Sequence, residues 1–234
     1  MTPTGQNIPE MRYAATLSGV IALRMMGLFL LLPVFMVLAV DVPGYTPLLA
    51  GVAVGIYGLT QAILQQPFGW LSDRWGRRPV LLLGLALFAI GGVIAATVET
   101  MPALIAGRAL QGCGAIAGVA MALAADISRP EKRSIIMAVI GMGIGASFLV
   151  SMLLSVPLAT LVGLDGLFWI TAALAVAGMA MVMTVPSIAP VHETAAHEES
   201  PRTRPVWLLA LSVFLLHAVM TLLFVAFPPM LVAK

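Results

Sequence analysis

Gly69-Trp70-Leu71-Ser72-Asp73-Arg74-Trp75-Gly76-Arg77-Arg78 is a short charged stretch set between two long apolar runs. The runs on either side cover residues 47–71 and 79–98, and about 20 apolar residues in helical form cross a hydrocarbon core. Five further runs of that kind lie outward from them, at 14–40, 101–125, 134–160, 166–186 and 206–232. Each is expected to be helical, because an open strand in lipid leaves backbone groups unpaired. The sequence therefore predicts an all-α membrane protein whose second and third spans meet in a tight charged hairpin.

Composition agrees. The chain is 61% apolar and 9% charged, with a mean hydropathy of +1.06, whereas a soluble domain carries roughly 25% charged residues. A soluble enzyme is excluded on these grounds. No ATP-binding glycine loop with a lysine is present, so any transport is driven by gradients or by a partner. No catalytic residue, metal ligand set or cofactor is implied. Cys113 is a single thiol inside an expected helix. Residues 1–13 are polar and the first apolar run carries Arg24, which does not fit a cleavable signal peptide.

The basic residues sort by side. Arg12, Arg74, Arg77, Arg78, Arg129, Lys132, Arg133, Arg202 and Arg204 fall in alternate loops, and the opposite loops hold Asp41, Glu99, Asp165 and, past the last run, Lys234. Excess Lys and Arg mark the cytoplasmic side, so the N-terminus is expected inside. This topology, rather than nucleic acid, accounts for a pI near 9.0. Residues 187–205 are polar and proline-studded and read as a cytoplasmic linker. His192 and His197 with nearby glutamates read there as solvated residues, since nothing fixes a metal geometry. The expected division is a six-helix bundle at 1–186, the linker at 187–205, and the first helix of an incomplete second bundle at 206–234.

Several residues carry chemistry. In the hairpin, Gly76 permits a backbone conformation that a Cβ resists, and Gly69 is expected to let helices approach closely. An acid at position 73 serves no topological purpose, and it gains from a nearby arginine or helix N-terminus. In the fourth span, Arg108, Gln111, Gly112 and Ala115 share one helical face. An arginine there costs at least about 2.5 kcal/mol against lipid and must face protein or water. It is either a hydrogen-bond hub between helices or a fixed charge beside a substrate or proton site. Arg24 lies still deeper, and Gly58, Gln61 and Gln65 form a polar face on the second span. Arg24, Gln61, Gln65, Arg108 and Gln111 are thus candidates for a central cavity. All ten acids fall in loops or at helix ends, so no carboxylate sits mid-membrane. Two buried arginines without buried acids also suit an anionic substrate. Four-residue glycine spacings at Gly51/Gly55, Gly114/Gly118 and Gly141/Gly145 predict close helix packing.

The hairpin resembles the loop between helices 2 and 3 of the major facilitator superfamily of secondary transporters, whose pattern reads Gly-x-Leu-x-Asp-Arg-x-Gly-Arg-Arg/Lys. Gly69, Leu71, Asp73, Arg74, Gly76, Arg77 and Arg78 fall on it. The stretch from Arg108 to Ala115 resembles the helix 4 pattern Arg-x-x-x-Gly-x-Gly of its drug/proton antiporter branches. Arg24-Met25-Met26-Gly27, Pro33-Val34 and the segment from Gly55 to Gln61 resemble bacterial YajR-type transporters. The fifth span departs from the antiporter pattern, with Ala146 following Gly145 and Pro157 later.

The resemblance implies a fold of two six-helix halves, each built from inverted three-helix repeats. It implies that Asp73 latches one conformation, with Arg77 and Asp126 completing the charge network alongside Gly69, Arg74, Gly76 and Arg78. It further implies a proton-coupled exporter of small organic compounds or drugs in a bacterial inner membrane. An importer, an organic-anion carrier and a non-transporting fragment remain alternatives. Partners expected are membrane lipid, a small-molecule substrate, protons, and a missing C-terminal half or partner chain. A seven-helix receptor fits poorly, because the N-terminus is expected inside and the last run lacks a mid-membrane lysine.

Overall fold

The computed structural model describes residues 10–185 and, within 208–230, residues 208, 211, 212, 215, 216, 218–224, 226 and 230. The linker at 187–205, His217 and Lys234 lie outside the described residues. The elements are α1 (Glu10–Leu31), α2 (Phe35–Leu38), α3 (Pro47–Trp75), α4 (Arg77–Thr97), α5 (Met101–Cys113), α6 (Ala117–Asp126) and α7 (Arg133–Met183), with 3₁₀ turns at Ala39–Asp41 and Pro130–Lys132. No strand occurs among the described residues. Among the described residues, five helical stretches are long and apolar enough to cross a membrane.

The breaks have local causes. Proline has no N–H to continue a helix, and α1 gives way at residues 32–34, around Pro33, before α2. The expected single run at 14–40 is therefore two pieces. α3 starts on Thr46, whose hydroxyl accepts from the Leu49 N–H at 3.2 Å, with Pro47 at the first position. α3 then runs past the end of the apolar segment to Trp75, and Gly76 alone separates it from α4. Gly76 has φ 92° and ψ 154°, a conformation that suits glycine and lets the chain reverse in one residue. Gly163, at φ 68°, divides α7 into two helices at 133–162 and 164–183, matching the two expected spans.

One break was not expected. The fourth span divides into α5 and α6 at Gly114–Ile116, where the Ala115 N–H reaches back to the Cys113 carbonyl at 2.8 Å. Gly114 at φ −73° and ψ 53° forms an inverse γ-turn, and its carbonyl is released from the helical ladder.

The 133–162 helix lies parallel to α1. The Ser18 hydroxyl donates to the Val139 carbonyl at 3.0 Å, and Ser151 donates to Met26 at 3.3 Å further along. The 164–183 helix runs antiparallel to α4, since Gly92 meets Thr171 and Ala172 while Gly178 meets Leu85. Glycine permits the close crossing of α4 and α5: a Cβ on Gly91 would strike the Gln111 backbone, and one on Gly107 would strike Ala95.

Three layers result. One apolar cluster near the hairpin gathers Leu17, Ile21, Leu81, Leu85, Ile116, Leu123 and Ile136. A second at the far end gathers Leu31, Phe35, Ala53, Met101, Leu104, Leu167 and Phe168. Between them lies a waist where buried polar residues of three helices meet, Arg24, Arg108, Gln111 and Thr171, with Thr60 and Gln61 of α3 alongside.

The expected glycine packing holds only in part. A Cβ at Gly118 would strike Gln65, and one at Gly114 would strike Gly84. Gly51, Gly55, Gly69, Gly141 and Gly145 instead face open space. No described residue comes close enough to touch a Cβ at these positions, although Phe224 stands edge-on to Phe148 of the 133–162 helix at 6.5 Å and Ala218, Thr221 and Leu222 share a cavity with Gly55 of α3.

Candidate functional site

Arg24 and Arg108 sit in the waist with 1% and 2% of their surface exposed. No carboxylate pairs with either among the described residues. The Arg24 Nε donates to the Gly114 carbonyl at 3.1 Å, and Nη2 donates to Gln61 Oε1 at 3.1 Å. Its guanidinium also stands 5.6 Å from the Phe88 ring centre. The break in the fourth span therefore supplies an acceptor for a buried cation, and the Gly114 carbonyl is shared between Arg24 and the Ile116 N–H, which reaches it at 2.9 Å. Nη1 of Arg24 is buried without a partner among the described residues.

Arg108 is held by a different set. Its Nε donates to the Ala53 carbonyl at 3.4 Å and Nη1 to Gln111 Oε1 at 2.9 Å. Its guanidinium lies 4.7 Å from the Tyr57 ring centre, where the π face attracts a cation. Gln111 passes the network on, its Nε2 donating to Thr171 Oγ1 at 3.2 Å. Thr60 ties α3 to α5 by donating to the Ala109 carbonyl at 3.0 Å. Gly112 permits this approach, because a Cβ there would collide with Thr60 and with the Tyr57 carbonyl.

A cavity of about 640 Å³ opens beside this waist. Gln61, Gln65 and Arg108 line it together with Leu28, Leu32, Val54, Tyr57, Gly58 and, from the last described segment, Ala218, Thr221 and Leu222. Three of the five residues expected around a central cavity are thus on its wall. Arg24 and Gln111 stand behind it, drawn inward by the Gly114 carbonyl and the Thr171 hydroxyl. Periodicity placed them on the right faces but did not tell which would reach the open space. Tyr57, Thr60 and Thr171 went unnoticed in the sequence. Only their helical register with Gln61, Arg108 and Gln111 would have pointed to them.

At the hairpin the seven motif residues separate into distinct roles. Arg77 Nε donates to Asp126 Oδ2 at 3.0 Å, and Nη1 donates to Asp73 Oδ1 and to Ser72 Oγ. One guanidinium thereby bridges the end of α3 to the end of α6. Asp73 is 60% exposed and Asp126 29%, so these pairs are partly wet and each contributes on the order of 1 kcal/mol or less. Arg78 reaches the other way, its Nη2 donating to the Met183 carbonyl at 2.8 Å, where a cation satisfies a helix C-terminus. Arg74 lies over the Trp70 ring at 4.0 Å. Gly69 faces open space, while its carbonyl accepts from Ser72 at 2.7 Å. Ser72, buried between Gly69 and Arg77, was not singled out in the sequence. Its hydroxyl both donates and accepts, which orients the arginine.

No group of three or more His, Cys, Asp or Glu among the described residues could hold a metal ion. At the far end Asp41, Glu99 and Asp165 border a second pocket of about 390 Å³.

The Major Facilitator Superfamily profile matches residues 17–233. The Inner membrane transport protein YajR of Escherichia coli is 46% identical over 176 residues, covering 75% of this chain and 39% of that protein. Multidrug resistance protein D of Escherichia coli is 42% identical over a shorter stretch of 69 residues, 30% of this chain and 18% of that one. Among solved structures, the inward-open xylose transporter XylE from E. coli superposes with a TM-score of 0.63 at 17% identity, over 76% of this chain and 47% of that one. The chain thus spans less than half the length of these relatives. With a multi-pass helical fold, the charged hairpin and a profile match over most of its length, the chain belongs to the major facilitator superfamily.

Proposed function

We propose that this chain contributes the N-terminal half of a secondary active transporter, which exports small organic compounds against a proton gradient by alternating access. In this reading residues 1–186 form one bundle and 206–234 begin the next. Residues 187–205 link them on the cytoplasmic face of a bacterial inner membrane, where the N-terminus and the Arg77 hairpin also lie. The observation that carries the reading is the cavity at mid-depth in the bundle bounded by Gln61, Gln65 and Arg108 on the face of α3 that carries Gly55 and Gly58. A solute site at mid-depth between two halves is how secondary transporters of this construction work. Pockets for small organic molecules run from about 300 to 1,000 Å³, which includes this one.

The hairpin supplies the switch. Asp73 has one oxygen on Arg77 and most of its surface free, so it can engage an opposing half in one state and release it in another. Contacts of about 1 kcal/mol or less hold a conformation without trapping it. The name of the YajR relative supports transport, and that of Multidrug resistance protein D supports a link to drugs. The test is flux by the intact protein in membrane vesicles of both orientations. Export predicts uncoupler-sensitive accumulation in inverted vesicles that Gly58→Phe abolishes, because Gly58 lines the cavity and has no neighbour to clash with. Accumulation confined to right-side-out vesicles makes the protein an importer.

A further inference from the structure

We infer that the cavity at the waist takes an organic anion, with its acid group on Arg108 and Gln61 and its apolar body against Leu28, Leu32 and Leu222. This deepens the proposed function and rests on the cavity being the transport site. The first argument is hydrogen-bond polarity. Arginine can only donate, so the Gln61 oxygen must turn towards Arg24 and leave the two amide N–H groups of Gln61 for the cavity. Arg108 likewise fixes the Gln111 oxygen, with Nε and Nη1 engaged and Nη2 without a hydrogen bond among the described residues. What Gln61 and Arg108 leave for a ligand is therefore donors, while Gln65 and Thr221 on the same wall can donate to it as well as accept.

The second argument is charge. Two guanidinium groups lie within the membrane-spanning bundle, and among the described residues no Asp or Glu lines the cavity. Buried charges are normally paired or strongly hydrogen-bonded. Arg24 keeps one nitrogen orphaned, and the field of both arginines falls on the same wall. A carboxylate or sulfonate there gains charge-assisted hydrogen bonds in a low-dielectric site. A cation meets the same field as repulsion, and a neutral amide gains only part of the interaction. Leucines around the remainder of the wall favour an aromatic or alkyl body over a sugar.

The test is calorimetric titration of the intact purified protein with naphthoate, its neutral amide and naphthylmethylammonium. The expected result is naphthoate binding at least about tenfold more tightly than the amide, given the usual strength of a hydrogen bond to a charged group, with the cation weakest. Arg108→Gln should abolish that preference. Gln61→Glu should do so as well, since it adds a negative charge to the wall while keeping an acceptor for Arg24, and it serves if Arg108→Gln does not fold. Equal or tighter binding of the amide or the cation overturns the inference, as does a preference that survives in folded Gln61→Glu. So does no binding of any of the three. Gly58→Phe separates the two levels. If it removes binding of every probe while charge makes no difference, the cavity stands and the anion does not. If naphthoate still binds to it, the site lies elsewhere and both readings fall.

Discussion

The arginine at the hairpin and the arginines at the waist solve the same problem in opposite ways. Arg77 meets two carboxylates, one on α3 and one on α6, in a partly exposed cluster. Arg24 and Arg108 meet none among the described residues, and are held instead by carbonyls, glutamine oxygens and aromatic faces. A carboxylate at the waist would cancel the positive field of the cavity. One at the hairpin gives an ion pair that water weakens, so the pair can open and close. On the proposed function, the fixed charge stands where the solute would sit and the breakable pair where the halves would move.

The largest expected effect comes from breaking the waist. Arg108→Ala leaves Gln111, the Ala53 carbonyl and the Tyr57 face without their cation, and hydrogen bonds to charged groups are worth about 1.5–3 kcal/mol each. Flux in vesicles should fall about a hundredfold or more, with a lower thermal midpoint in detergent. Arg77→Ala comes next. It should cut flux by about tenfold yet lower stability by only about 1 kcal/mol, because partly exposed pairs contribute little to folding. A fall in stability as large as that of Arg108→Ala would erase the contrast between the two regions.

Smaller changes sharpen it. Gly76→Ala forces a Cβ into a positive φ and should destabilise by about 1–2 kcal/mol, read as a shift in the denaturation midpoint. Ser72→Ala removes the hydroxyl that orients Arg77 and should cost about 1 kcal/mol, with flux reduced a few-fold. Gly69→Ala is expected to leave the folding of the α3–α4 hairpin unchanged, since no described residue approaches it. Its effect should appear in flux alone, where an opposing half comes against α3.

Much of this was legible in the sequence because membrane helices announce themselves by length, and the charged hairpin between two of them admits few readings. The placement of Arg108 and Gln111 on one buried face followed from helical spacing. The break at Gly114 did not, because Gly114-Ala115-Ile116 has neither proline nor charge, and what accompanies it is tertiary: Arg24 donates to the Gly114 carbonyl from another helix. The fate of Arg24 was hidden for the same reason. Spacing along α1 shows which way a side chain points, but not whether a neighbour's carbonyl draws it behind the cavity wall. The glycine spacings misled at Gly51 and Gly55, where a pattern that permits close packing met no described partner. Ser72 was overlooked because its role depends on the arginine five residues on, across the Gly76 turn.

The most direct test of the central claim, a mid-membrane site reached in turn from each side, is cysteine accessibility at the cavity wall. Ala62 lines the cavity, and Ala62→Cys in a Cys113→Ser background gives the intact protein a thiol at that depth. A membrane-impermeant maleimide should label it from outside in right-side-out vesicles and from inside in inverted ones, with the ratio shifting when a proton gradient is imposed. Labelling from one side only, unchanged by the gradient, would contradict alternating access at this cavity.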